Sequence, residues 1–370
     1  MFERSPNGYF VRDLLVFGNL RKGGYVSKGF ILEAPDLTNS PAADLNHFQD
    51  ELCLLLSSLH EGQRLQVQYY CDADYRTELL RYKSETERFT NPWTRRMRNE
   101  RFLRYWEAMS QRRLRRQRVV LYLSRKLDAQ PRSLSGQRAL QGYYASLLDE
   151  LAAEFGHSLR LLQEIFSDGG TRVLPMGDGE HYLAYRNFLN PTLHERMEEA
   201  PEFSPELSIQ ENTYMSEGCG LGDGGFVMDG YYHCVIALSR WPRTTYPGII
   251  QRLTSLRLLD YAITVNVEPL PITTEILKEE KAHDRVAGDY ASEKKVSLLS
   301  VMEKKRAKIA SLMQGRSIPF KALFVVRTWD KTRDGLMAKA GAIKNAIHSM
   351  NAGQYFESNL PSTTRNLFFQ

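Results

Sequence analysis

The chain has 370 residues, more than one hydrophobic core ordinarily serves, so two domains are expected. A hydrophobic fraction of 42% with 17 Phe, 19 Tyr and 4 Trp excludes a disordered polymer. The net charge of +5 is unevenly placed: residues 95–126 hold twelve Arg or Lys against Glu100 and Glu107, which leaves the remainder net acidic.

Residues 14–17 and 25–33 read as a β-hairpin that turns through Arg21, Lys22, Gly23 and Gly24. Pro35 and Pro41 bound a polar break. Phe48, Leu52, Leu55, Leu56 and Leu59 then recur at helical spacing until Gly62. Residues 64–72 alternate as a strand. The basic stretch follows, with Asn91 placed to cap a helix and Pro92 suited to its first turn. Phe102, Tyr105, Trp106 and Met109 form its apolar stripe, and 119–123 is a short strand.

Pro131, Ser133 and Ser135 mark a boundary, after which 140–166 and 182–189 read as helices. Residues 226–238 predict a hairpin turning at Asp229-Gly230, 249–258 a helix and 262–267 a strand. Residues 272–314 are a long polar helical region with a thin stripe of Val286, Tyr290, Leu298, Met302, Ile309 and Met313, and Gly288 as a candidate break. Such a stripe suits a helical hairpin, either laid across a sheet or projecting as an arm. A strand at 320–328, a helix at 330–350 and a strand at 354–357 complete the pattern. The fold class is α+β: mostly antiparallel, ferredoxin-like sheet units with packed helices and a long helical arm. The expected division is 1–130, a helical connector at 131–207, and a second α+β unit at 208–370.

No catalytic or cofactor motif emerges. In Gly218 to Gly225 the glycines of a phosphate loop are present, but Phe226 and Val227 stand where Lys and Ser/Thr are needed to grip phosphate and magnesium. A strand rather than a helix follows, so a dinucleotide site fails too. The eight histidines are scattered. Gly177 to His181 lacks the ligand spacing of a calcium loop. Cys53, Cys71, Cys219 and Cys234 share no CxxC spacing and read as reduced, structural thiols rather than zinc ligands, with Cys53, Cys71 and Cys234 in apolar runs where small buried hydrophobes belong. Residues 1–12 are unlike a secretory leader, and no apolar run is long enough to span a bilayer.

The candidate binding residues are therefore the basic patch: Arg95, Arg96, Arg98, Arg101, Arg104, Arg112, Arg113, Arg115, Arg116 and Arg118. Interleaved Trp93, Phe102, Tyr105 and Trp106 allow three readings. These are a solvated face with internal ion pairs, contact with a protein or an anionic membrane, and stacking on single-stranded nucleic acid.

The order of elements, with Phe30-Ile31-Leu32-Glu33, Leu54 to Leu59, Gly62 to Gln68, Arg98 to Tyr105, Leu238-Ser239-Arg240-Trp241-Pro242 and Asn359-Leu360-Pro361, resembles the N-terminal region of the TraC/TrbE-type conjugative transfer ATPases of type IV secretion. That resemblance implies a scaffold and docking role at the cytoplasmic face of the bacterial inner membrane. Its implied partners are inner-membrane channel subunits, a C-terminal ATPase domain following Gln370, and further copies in a hexamer. ATP and magnesium would belong to that later domain, and no cofactor is implied for this chain. Nucleic acid is the alternative partner.

Overall fold

Alternating buried and exposed positions along the strands and apolar stripes on the helices assemble an α+β fold around one sheet. The computed structural model describes residues 8–19, 23–33, 40–128, 137–167, 170–195, 201–213, 220–222, 225–242, 248–350 and 354–357. The first half runs β1 (Gly8–Val11), β2 (Leu14–Asn19), β3 (Gly23–Glu33), α1 (Ala42–Ser57) and β4 (Gln63–Asp72). It continues with α2 (Arg76–Thr86), α3 (Pro92–Ser110), β5 (Arg116–Leu127), α4 (Gln137–Ile165) and β6 (Arg172–Pro175). A connector follows, made of α5 (Asp178–Leu189), a 3-10 turn (Pro191–Glu195) and α6 (Ile209–Thr213).

The same series then recurs. It comprises β7 (Gly220–Gly222), β8 (Gly225–Met228), β9 (Tyr231–Arg240), α7 (Gln251–Thr254) and β10 (Tyr261–Pro269). After these come α8 (Ile272–Glu293), α9 (Val296–Met313), β11 (Phe320–Asp330), α10 (Arg333–His348) and β12 (Gln354–Glu357).

All these strands join one 12-stranded sheet in the order β1-β2-β3-β5-β4-β10-β11-β9-β8-β7, with β6 on β3 and β12 on β9. The order reads the same from either end when the halves are exchanged. Each half has the ferredoxin-like arrangement, β6-β3-β5-β4 and β12-β9-β11-β10. Each also carries a leading hairpin on its first strand and a helical hairpin between its second and third. The halves are sewn together by β4 and β10, which pair antiparallel from Leu65↔Val267 to Cys71↔Tyr261. The molecule is a tandem repeat fused edge to edge.

One face of the sheet buries the repeat helices. Phe30, Leu65 and Leu121 pack with Leu55, Leu151, Phe155 and Leu162. Ile263 and Val326 pack with Ile343 and Ile347. The connector covers the other face, where Phe10 and Tyr122 meet Tyr182 and Ile209, and Val235 and Val325 meet Leu189. The expected connector at 131–207 is thus shorter than its sequence limits. Its long helix α4 and strand β6 complete the first repeat, because the α4 stripe is buried on the same face as α1.

Several expectations hold in detail. Asn91 caps α3, its side chain accepting from Trp93 N at 2.9 Å. Asp229 and Gly230 take φ of 51° and 73° between β8 and β9, as a tight hairpin turn requires. The 272–314 region is a helical hairpin whose two helices pack on each other. Its break falls at Lys294, with φ 51°, while Gly288 lies inside α8. Met313 is exposed rather than part of the stripe. Residues 249–258 yield only the single turn α7. The turn residues Arg21 and Lys22, and Cys219, lie outside the described residues.

Candidate functional site

The arginines of the basic segment separate into two populations. Five are tied into the fold. Arg98 lies 3.9 Å from the Tyr82 ring centre and 4.7 Å from that of Phe89, with its Nε donating to Thr86 at 3.0 Å. Arg112 is paired with Asp260. Arg115 donates to Cys71 Sγ at 3.1 Å and to the Thr254 carbonyl. Arg116 is paired with Glu78 and donates to the Asp74 carbonyl at 2.7 Å, and Arg118 is paired with Asp72. Strand register explains the Arg118 pair, because Arg118 stands opposite Tyr70 and so within reach of Asp72, two residues on along the neighbouring strand.

The other five, Arg95, Arg96, Arg101, Arg104 and Arg113, are exposed. Among them Arg96 shares Glu100 at 3.2 Å across one helical turn, an exposed pair of small energetic consequence. Helix α3 buries Phe102, Trp106 and Met109 against Leu79 of α2. Tyr105 departs from the expected stripe: it is 49% exposed, because position 105 rotates away from 102, 106 and 109. The outward side of α3 carries Trp93, 71% exposed, together with Met97, Leu103 and Tyr105 among the exposed arginines. Basic groups interleaved with large apolar side chains are what a docking surface for an acidic, amphipathic partner requires.

Compared with models of known families and with curated proteins, the chain matches none.

The remaining motifs fall into structural roles. The glycine cluster supplies the ends of β7 and β8, which pair as a hairpin through Gly222↔Gly225. Gly177 opens α5, and its N–H donates to Glu180 at 2.9 Å. His181 is buried against the Tyr122 ring. Burial first, and the nearby Lys28 ammonium second, push its pKa down to about 4. Cys53 is exposed on α1, contrary to expectation, whereas Cys71 is buried at the seam between the halves. Among the described residues no three His, Cys, Asp or Glu side chains converge to hold a metal. No described helix is long and apolar enough to cross a membrane.

The structure also assembles a charged cavity that no single segment announces. It measures about 90 Å³ and lies where β4, β5 and β11 meet the C-terminal end of α5. Arg112 and Arg118 belong to the sequence-predicted patch; Arg327, Asp72, Asp260 and Asn187 do not. The Arg327 guanidinium lies over two rings, 4.0 Å from the centre of Phe188 and 4.5 Å from that of Trp329. Burial lowers its pKa to about 10, so it stays charged at neutral pH. The available signal was a lone Arg directly after the apolar stretch 322–326 and two residues before Trp329, where a charge is unusual without a purpose.

Proposed function

We propose that this chain is an assembly and docking module, and that its docking surface is the outward side of α3. The observation that carries the reading is the exposure of Trp93, Met97, Leu103 and Tyr105 beside Arg95, Arg101 and Arg104 on one helix. A helix that needed only solubility would not expose four large apolar side chains along less than four turns. The α2–α3 hairpin stands on a base clamped by Arg112, Arg115 and Arg116, so the surface is presented rigidly.

The finer reading rests on the resemblance to the N-terminal region of conjugative transfer ATPases. The module would lie at the cytoplasmic face of the bacterial inner membrane, contact membrane-embedded channel subunits, and position a following motor domain within a hexamer. Any ATP and magnesium chemistry would belong to that motor domain. With arginine the dominant charge, carboxylates of the partner would be held in bidentate fashion.

Affinity purification of the tagged chain from detergent-solubilised membranes of a conjugating bacterium tests this. The wild type is expected to retain inner-membrane channel subunits, and Arg101→Glu with Arg104→Glu to reduce recovery at least tenfold. Recovery of no channel subunit by the wild type would overturn the reading. Salt-steep affinity for single-stranded DNA, lost in the same variant, would transfer the surface to nucleic acid. Arg112, Arg115 and Arg116 are unsuited to either experiment because their loss loosens the fold itself.

A further inference from the structure

Two helices from different repeats carry matching outward stripes. On α3, Trp93, Met97, Arg101, Arg104 and Ala108 recur at i, i+4, i+8, i+11 and i+15, and all are exposed or half-exposed. On α8, Leu277, Glu280, Asp284, Gly288 and Ala291 recur at i, i+3, i+7, i+11 and i+14, again exposed or half-exposed. The side of α8 that meets α9 is already satisfied. There Lys305 and Lys308 hold Glu279, while Lys278 and Lys308 hold Glu275. Glu280, Arg101 and Arg104 form no ion pair among the described residues, and Asp284 meets only its neighbour His283.

Gly288 points to close approach from outside. It lies inside α8, where glycine weakens a helix. A Cβ there would meet nothing within 4 Å, and the residue has no left-handed φ, so neither packing nor backbone conformation within the chain calls for glycine. Charge indicates what approaches. Helix α3 holds five Arg against two Glu, a net +3, and α8 holds six acids against three bases, a net −3. The two helices do not meet within one chain. Strands β4 and β10 are antiparallel, with Cys71 near the end of one beside Tyr261 at the start of the other. The α2–α3 and α8–α9 hairpins follow these strands and so leave the sheet at opposite ends. Trp93 and Leu277 stay 71% and 57% exposed.

We propose that α3 of one copy of this chain packs antiparallel on α8 of a second copy. In that register Trp93 faces Ala291, Met97 faces Gly288 and Ala108 faces Leu277, so each large side chain meets a small one. Arg101 then faces Asp284, and Arg104 faces Glu280, two charge-assisted pairs between an arginine and a carboxylate. The bases of α8, Lys278, Lys281 and Arg285, each follow a stripe residue by one position and therefore lie to its side. Because the contact joins two different surfaces, it is heterologous: every copy offers α3 at one end and α8 at the other, and successive copies close into a ring or continue as a filament. The inference rests on the reading of this side of α3 as a docking surface. It names the occupant that a channel subunit would displace.

Disulfide trapping between two variants of the full chain tests the proposal. Both carry Cys53→Ser and Cys219→Ser; one adds Met97→Cys and the other Gly288→Cys. Mixed under mild oxidation, they are expected to link at least tenfold faster than Met97→Cys with a Leu299→Cys control on α9, or than Met97→Cys alone. Arg101→Glu with Arg104→Glu in the first chain is expected to slow linking at least tenfold, and Glu280→Arg with Asp284→Arg in the second to restore it. Linking of Met97→Cys to itself at the mixed rate would mean a two-fold pairing of α3 and overturn the assignment. A mixed rate no higher than the control, or charge reversal without effect in folded chains, would do the same. The two readings of α3 fail separately. A chain that links as expected but recovers no channel subunit loses the channel-subunit reading alone, and one that recovers channel subunits without linking loses this one alone.

Discussion

Arg112, which follows the last turn of α3 in the first repeat, is ion-paired with Asp260, which precedes β10 in the second. Both residues take left-handed backbone conformations, with φ of 55° and 65°. Asp260 also accepts from Lys339 Nζ of α10 at 3.1 Å, and its side chain is almost wholly buried. The base of the proposed docking hairpin is thereby locked to the other half of the molecule, beside the β4–β10 seam.

Replacing Asp260 by Ala should therefore cost more than a surface ion pair. Removing the carboxylate shared by Arg112 and Lys339 is expected to destabilise the fold by about 3 kcal/mol in urea titrations. Arg112→Ala, which leaves the Lys339 contact in place, should cost about 1 kcal/mol. The double variant should lose less than the sum of the two, as contacting residues do.

His181 sets a pH dependence of known sign. Its folded pKa of about 4 lies below the ordinary histidine value, so the unfolded chain takes up the proton first as pH falls. Stability is full above pH ~6.5 and declines towards pH ~4, by up to about 3 kcal/mol for this group. Buried His233, also shifted downward, mainly by burial, adds a decline of the same sign. Urea titrations at pH 7, 6 and 5 should show the slope, and His181→Met should flatten its share.

Gly29 of β3 lies beneath the same histidine. A Cβ there would stand 2.6 Å from His181 Cε1 and 2.7 Å from Met176 Sδ, inside two well-packed side chains. Gly29→Ala should cost about 2 kcal/mol, read as a lower urea midpoint with an unchanged m-value.

The two aromatic positions of α3 should behave in opposite ways. Phe102→Ala empties a buried site between α2 and α3 and should cost about 3–5 kcal/mol. Tyr105→Ala removes an exposed side chain and should change stability by less than about 0.5 kcal/mol. Thermal unfolding distinguishes the two.

These contrasts show which parts of the fold were legible. The capped start of α3, the α4 stripe and the Asp229-Gly230 hairpin follow from local chemistry, and all three are readable in the chain. Helix α2 was missed because its apolar content is little more than Leu79, Leu80 and Tyr82, too sparse to show a period. The break in the arm was placed at Gly288, yet an αL residue at Lys294 ends α8, since glycine inside a helix is tolerated at modest cost. Tyr105 and Cys53 look apolar in sequence but rotate outward, which spacing alone does not settle.

The duplication and the cavity were hidden for a different reason. The repeats share strand order and hairpin placement rather than residues, so no sequence period betrays them. Arg118, Asp72, Asp260 and Arg327 come together only through the β4–β5, β4–β10 and β10–β11 pairings. Within the basic patch, Arg112, Arg116 and Arg118 engage Asp260, Glu78 and Asp72, and Arg98 and Arg115 engage other groups of the fold. The exposed remainder carries the docking proposal.

The docking account is tested most directly by placing a photo-crosslinking residue at Met97, on the outward side of α3, in cells that carry the complete transfer apparatus. The same residue at exposed Leu277 of α8 serves as control. The account predicts an adduct between position 97 and an inner-membrane channel subunit, absent at 277. Adducts at 97 only to nucleic acid, or none at all while the protein is folded and abundant, would contradict it.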